Sequence, residues 1–456
     1  MDQYFYNTGT IQKLNPRWST TGGNAYRNPR GSVLLTVVIY LFVGIGMVLV
    51  ILDQATNHRK ISTQQVNLDQ AMYVAEGGLE RGAHYITTNI AALVAAASTT
   101  TNISGTIGGG SYSYTITRVS DNLFSLVSTG TVGAVSRVVS ITRIYQPSFA
   151  ECALWSHVTG GIYFALGDIF YGHVHSDDVL YFDATSGGPI FHGLVTSATN
   201  TYSIQNGSIT NIEFDQGLSL NTKFGSMTNV DFNSVATNSL KSIATSSGLV
   251  LSGNSTITFG GNTVQITNPT KGWTNYVYTP PTEGIIYVSN NGSTTGSKAG
   301  TVIVNGGTIS GRLTVVAENN ITVSGNVLYT PDPRVTNSTA ALGMISGDNV
   351  SVGTNAPNNL EVDSAIMATG TSGDGSAGSW GVINYSTGSA RGNLTVYGGI
   401  VQSTRGAVGT LSSGVLSTGY KKNYSYDSRF LNTPPPYYPV VKGVVRFSSW
   451  QEGPRQ

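Results

Sequence analysis

From Ser32 to Leu52 the chain carries no charged residue and nearly every position is apolar. At a rise of about 1.5 Å per residue, such a run spans the roughly 30 Å hydrocarbon core of a bilayer as one helix. Within lipid only a helix lets a single segment satisfy its own backbone. No second run of this kind occurs, so the pattern predicts one crossing. Lys13, Arg17, Arg27 and Arg30 precede the run against one acid, Asp2, which predicts an N-terminus on the cytoplasmic side. A signal-peptide core would be about 7–15 residues long with a small-residue cleavage site behind it. This run is longer, and Asp53 to Gln70 contains no Ala-x-Ala sequence.

The helical pattern continues past the membrane. Ile61, Leu68, Ala75 and Gly82 recur every seventh position, as do Gln65, Met72, Leu79 and Ile86. Together they form one apolar stripe, which reads either as a packing seam or as a solvated stalk. Gly77-Gly78 predicts a bend, and the Ser/Thr/Asn/Gly cluster after Ser98 predicts the helix end. Residues 111–145 read as three short strands of an antiparallel meander. Tyr112, Tyr114 and Ile116 share one face, and turns fall at Asp121-Asn122 and Gly133.

From Phe149 to Leu416 short apolar triplets alternate with Gly, Asn, Ser and Thr, most clearly over Gly300 to Tyr329. Strands of this length stack naturally in a solenoid, while a β-sandwich or irregular β domain is the alternative. No fixed repeat length is present, but Ile169–Ser176 (IFYGHVHS) echoes Ile190–Ser197 (IFHGLVTS). The expected fold class is α+β, mainly β: an N-terminal membrane helix, a small antiparallel meander, then a large right-handed parallel β-helix-like domain. The expected divisions are a leader (1–31), membrane and stalk helix (32–98), meander (108–147), β-helix-like domain (149–432) and Pro-rich tail (433–456).

Arg30-Gly31 followed by Ser32-Val-Leu-Leu and a long apolar helix resembles the N-terminus of type IV prepilins. Gln70-Ala-Met-Tyr-Val-Ala-Glu-Gly-Gly-Leu-Glu80 is similar to a pattern of PilX-like minor pilins. The resemblance covers about residues 27–90. It implies cleavage between Gly31 and Ser32 by a prepilin peptidase, and other pilin subunits as partners of the helix. Thr36 stands at the fifth mature position, where the family usually carries Glu. That departure fits a minor or tip subunit better than a major pilin. The stretches around HVHSDDVLYF and the tail from Tyr424 to Pro439 resemble an uncharacterised domain found behind PilX-like helices. What the resemblance implies is a minor pilin or pilin-like surface protein of a bacterial inner membrane, its C-terminal part exported and carried into a pilus.

Composition narrows the chemistry. Charged residues make up 10% of the chain, against roughly 25% in an ordinary soluble domain. With Lys+Arg 24 and Asp+Glu 23 the net charge is +1, which argues against nucleic-acid binding. Cys152 is the one cysteine, so an intramolecular disulfide framework and a cysteine-based zinc site are excluded. With 24 Tyr and 14 Phe the chain is not of a disordered type. No cofactor is expected. A polar face of Ser, Thr and Asn with Tyr interleaved suits a glycan or other surface ligand.

Three groups of residues merit attention. His173 and His175 lie two apart, share a face of a strand and have Asp177 and Asp178 beside them, a candidate zinc pair. Asp348 and Asp374 sit in Gly-Asp turns that resemble calcium corners. Glu361 and Asp363, also two apart, are the carboxylate pair that a carbohydrate-active β-helix would need together with a basic residue. The Pro434-Pro435-Pro436 tail is expected to form a polyproline segment that caps the last coil or docks a partner.

Overall fold

The computed structural model describes residues 32–96, 98–120, 123–224, 239–293, 295–370, 377–412, 415–441 and 445–453. One helix, α1 (Ser32–Ala95), opens the described residues. Its most apolar window has none of its surface buried against the rest of the protein, as a lipid-facing segment requires. Further along, Ala71, Val74, Ala75, Leu79, Ile86 and Leu93 are buried, whereas Ile61 and Val66 are exposed. The stripe therefore works as a packing seam only in its second half, and its partner is a sheet. Gly77 and Gly78 keep helical dihedrals; the non-helical ones fall at Asn89 (φ −120°, ψ 18°). Sheet contact holds the glycines in line, while Asn89 turns its side-chain amide onto the Tyr85 carbonyl at 3.0 Å.

That sheet has four strands in sequence order: β1 (Thr100–Ile107), β2 (Gly110–Ser120), β3 (Leu123–Val132) and β4 (Val135–Tyr145). The helix ends at Ala95, close to the end predicted by the Ser/Thr/Asn/Gly cluster, and that cluster itself forms strand β1; its β-branched residues favour the pleated backbone. Arg446–Phe447 and Trp450–Glu452 then extend the sheet beyond β4, antiparallel to it. The end of the chain is thus part of the helix–sheet module, and everything between β4 and Arg446 is inserted into it.

The insertion is large and mostly β. Its strands stack in parallel, each on a counterpart further along the chain. One ladder runs Val250, Tyr287, Val316, Ile345, Met367, Val401, Trp155, His175, Thr196. A second runs Val327, Val362, Val396, Tyr424, Phe170, Phe191, Phe214. Both ascend in sequence and then jump back, one coil apart: Val401 to Trp155, and Tyr424 to Phe170. Residues 154–219 therefore continue the stack that residues 249–426 build, although they come first in the chain. Partner spacing is uneven (Val174, Val195, Leu218 in one series; Val315, Met344, Ile366, Ile400 in another), so no fixed repeat shows in the sequence. The echo of Ile169–Ser176 in Ile190–Ser197 is an in-register pair: Phe170 faces Phe191, and Val174 faces Val195.

Inside the stack Ile257, Val304, Val323 and Val352 form an aliphatic column, each fully buried. Burial of such a side chain is worth roughly 1.5–3 kcal/mol. Corners are turned by residues with left-handed dihedrals, among them Asn206 and Asn359. The first ladder lies on an outer face and is covered by α2 (Leu240–Ser247), by Phe149 stacked on Trp155 at 4.8 Å, and by the tail. Pro434 O accepts from Arg312, Pro436 O accepts from the Thr314 hydroxyl, and Tyr438 is buried. The tail therefore flanks the stack midway and does not cap its last coil. Tyr437, at φ 55°, interrupts a polyproline course.

Candidate functional site

Three places concentrate chemistry. The first is the helix–sheet module. Ser32 is the first residue of α1, and Gly31 lies outside the described residues. On β3, Gly130 has no side chain because a Cβ there would meet the Ala71 carbonyl and the Ala75 amide of the helix backbone. On the helix, a Cβ at Gly82 would lie 2.7 Å from Leu126. Small residues on both sides let the helix lie close on the sheet. Arg81 adds a bond from its guanidinium to the Tyr112 hydroxyl at 2.9 Å.

The second is the histidine cluster on the outer face of the strands Val174–Ser176 and Val195–Ser197. His175 Nε2 lies 3.0 Å from Asp177 Oδ1, an acceptor, so Nε2 carries the hydrogen. His175 Nδ1 then accepts from the Thr196 hydroxyl at 2.6 Å, and the same oxygen accepts from His173 Nε2 at 2.7 Å. His173 Nδ1 is left facing the Cys152 thiol at 3.7 Å. Burial, and then His175 beside it, push His173 down to about 4, while burial pushes the Cys152 thiol up. Asp177 Oδ2 reaches outward to His157 Nδ1 at 3.0 Å. The hydrogen bonds run in one direction from the buried thiol to Asp177, which on its other oxygen accepts from the exposed His157 imidazole. The Thr196 hydroxyl occupies the space between the two rings.

The third is a carboxylate cluster. Arg334 reaches Glu361 Oε1 at 2.7 Å, Asp332 Oδ1 at 2.8 Å and Asp363 Oδ2 at 3.7 Å, with its guanidinium 4.9 Å from the centre of the Tyr397 ring. The carboxylate pair and a basic residue do meet. The Asp363 side chain, however, has no exposed surface, and its Oδ2 accepts the Tyr329 amide at 2.8 Å. Burial pushes Asp363 up to about 7 against the opposing pull of Arg334. A carboxyl so enclosed cannot touch a glycosidic oxygen. Of the turn acids, Asp348 is buried and Asp374 lies outside the described residues.

One convergence escaped the sequence. His192, Glu213 and Asp215 bring three donor atoms within 4.8 Å of one another. They come from successive coils, and only the Phe191–Phe214 register brings them together. The adjacent pair His173/His175 is visible by eye in the sequence, whereas a match across coils of uneven length is not.

No protein-family profile matches the chain, and no curated protein matches it. Among solved structures, the competence-associated pilin ComZ from Thermus thermophilus matches with 12% identity, over 86% of this chain and 98% of that chain, with a TM-score of 0.34. A superposition this loose carries no argument. This chain stands as a long N-terminal apolar helix followed by a large, mostly β region.

Proposed function

We propose that this is a membrane-anchored, pilin-like surface protein: a minor pilin or pilin-like subunit of a type IV pilus or pseudopilus, with a right-handed parallel β-helical head. The observation that carries this reading is the division of α1. Its first part is wholly exposed and apolar, and its second part is seated on a four-stranded antiparallel sheet. An apolar helix end without internal partners suits lipid before assembly and neighbouring subunits after it. The parallel ladders support the β-helical reading of the head. The role is structural and interactive, not enzymatic: Asp363 is committed to Arg334 and Tyr329. The head displays a polar surface suited to a glycan or other surface ligand, and a prepilin peptidase is the processing partner, acting between Gly31 and Ser32.

Mass spectrometry of the mature N-terminus, in membrane and sheared-surface fractions, tests this. A chain starting at Ser32 supports prepilin processing. An intact leader in both fractions overturns the pilus assignment and leaves a tethered surface protein.

A further inference from the structure

We propose that His192, Glu213 and Asp215 form a binding site for a divalent transition-metal ion such as Zn²⁺, which staples the outermost described coil of the head to the coil beneath it. Tyr171, His192 and Asp215 occupy matching positions on three successive coils, each immediately after the ladder of Phe170, Phe191 and Phe214. The Tyr171 ring stacks on the His192 ring at 4.5 Å and fixes its plane. His192 Nδ1 lies 2.7 Å from Asp215 Oδ2, and the Asp215 amide donates to the Phe191 carbonyl at 3.0 Å. Glu213 stands two residues away on the same face of the strand Glu213–Phe214.

Charge points to a cation here. Glu213 and Asp215 converge on one imidazole, and among the described residues no lysine or arginine forms an ion pair with either. Two carboxylates held this close repel, and a bound dication offsets that repulsion. The donor set, one imidazole nitrogen and two carboxylate oxygens, selects a borderline ion such as Zn²⁺ over Ca²⁺ or Mg²⁺, which favour all-oxygen sites. Three protein ligands leave a fourth position for water. Location supplies a purpose. The strands Glu213–Phe214 and Leu218–Ser219 pair on one side only among the described residues, and the end coil of a solenoid needs protection against fraying. The site is independent of the pilus assignment.

The test uses the full chain in detergent micelles, stripped with chelator and then dialysed against Zn²⁺. Bound metal is counted by mass spectrometry and thermal unfolding is followed with and without Zn²⁺. The wild type is expected to hold one equivalent and to unfold at a higher temperature with Zn²⁺. His192→Ala and Asp215→Asn lose that equivalent and the shift, or bind at least tenfold more weakly. His173→Ala keeps both. Ca²⁺ does not displace the ion. No bound zinc in the wild type overturns the proposal, as does an equivalent that survives in His192→Ala. If His173→Ala removes the equivalent instead, the ion belongs to the His173/His175 pair and the proposal fails.

Discussion

Trp155 and Val401 are partners in one parallel ladder, so the first strand of the head and one of its last lie side by side. Coils of residues 154–219 grow outward from that contact, and coils of residues 249–426 grow inward toward it. The two connections to the helix–sheet module, before Leu154 and after Tyr426, therefore both leave from the middle of the stack. Removing the indole should open a large cavity at this junction. Trp155→Ala is expected to cost about 3–5 kcal/mol, read from chemical unfolding of the full chain. Leu218→Ala, at a half-buried position on the outermost described coil, should cost clearly less.

The same junction holds a buried ion pair, Lys422 Nζ to Asp168 Oδ2 at 2.5 Å, with Arg405 buried beside it over the Phe164 ring. Burial pushes Lys422 and Arg405 down, and Asp168 opposes it in both. Asp168→Asn leaves two buried cations without a carboxylate and should cost about 3–5 kcal/mol. Adding Lys422→Met should recover a good part of that loss. A double-mutant cycle on unfolding free energies measures it, and purely additive losses would show that the pair is not coupled.

Gly130→Ala places a methyl group against the Ala71 and Ala75 backbone, which cannot give way unless α1 lifts from the sheet. The expected cost is about 1–3 kcal/mol. Amide hydrogen exchange over residues 71–86 should rise while the head stays protected.

Asp363 sets one pH dependence. Its pKa is raised from 3.8 to about 7 by burial. Below about pH 4 both folded and unfolded chains hold this proton, and between about 4 and 7 only the folded chain does. The contribution is therefore fully present at low pH and lost as pH rises through 7. Asp363→Asn keeps an acceptor for the Tyr329 amide and should be more stable than the wild type at pH 8 by on the order of 2–4 kcal/mol. Equal stability at that pH would refute it.

His173 acts with the opposite sign. Burial lowers it from 6.5 to about 4, so on acidification the unfolded chain takes up this proton first. Its contribution is present above pH 6.5 and lost as pH falls toward 4. His173→Gln should remove about 3 kcal/mol of the stability change between pH 7 and 4. Denaturant titrations at both pH values check this.

Part of this was legible in the sequence. The apolar run from Ser32, the helical stripe through Ala75, Leu79 and Ile86, and the alternation of Tyr112, Tyr114 and Ile116 are local patterns, and hydropathy at fixed periods reports them directly. Strand β1 is not legible in the sequence because its Thr, Asn, Ser and Gly residues also make turns, and only pairing with β2 decides between the two. His173 and His175 were visible as neighbours, but their sharing of the Thr196 hydroxyl was not.

By itself the sequence determined the long apolar N-terminal helix, the mostly β character of the remainder and the scarcity of charge, because each follows from residue type within a short window. Tertiary structure alone decided the order of the coils, the return of Trp450–Glu452 to β4, the flanking course of the tail and the meeting of His192 with Asp215. Those depend on register between segments separated by uneven lengths of chain. Backbone ladders are blind to side-chain identity except where one face is buried, so no local pattern specifies which strand a given strand will find.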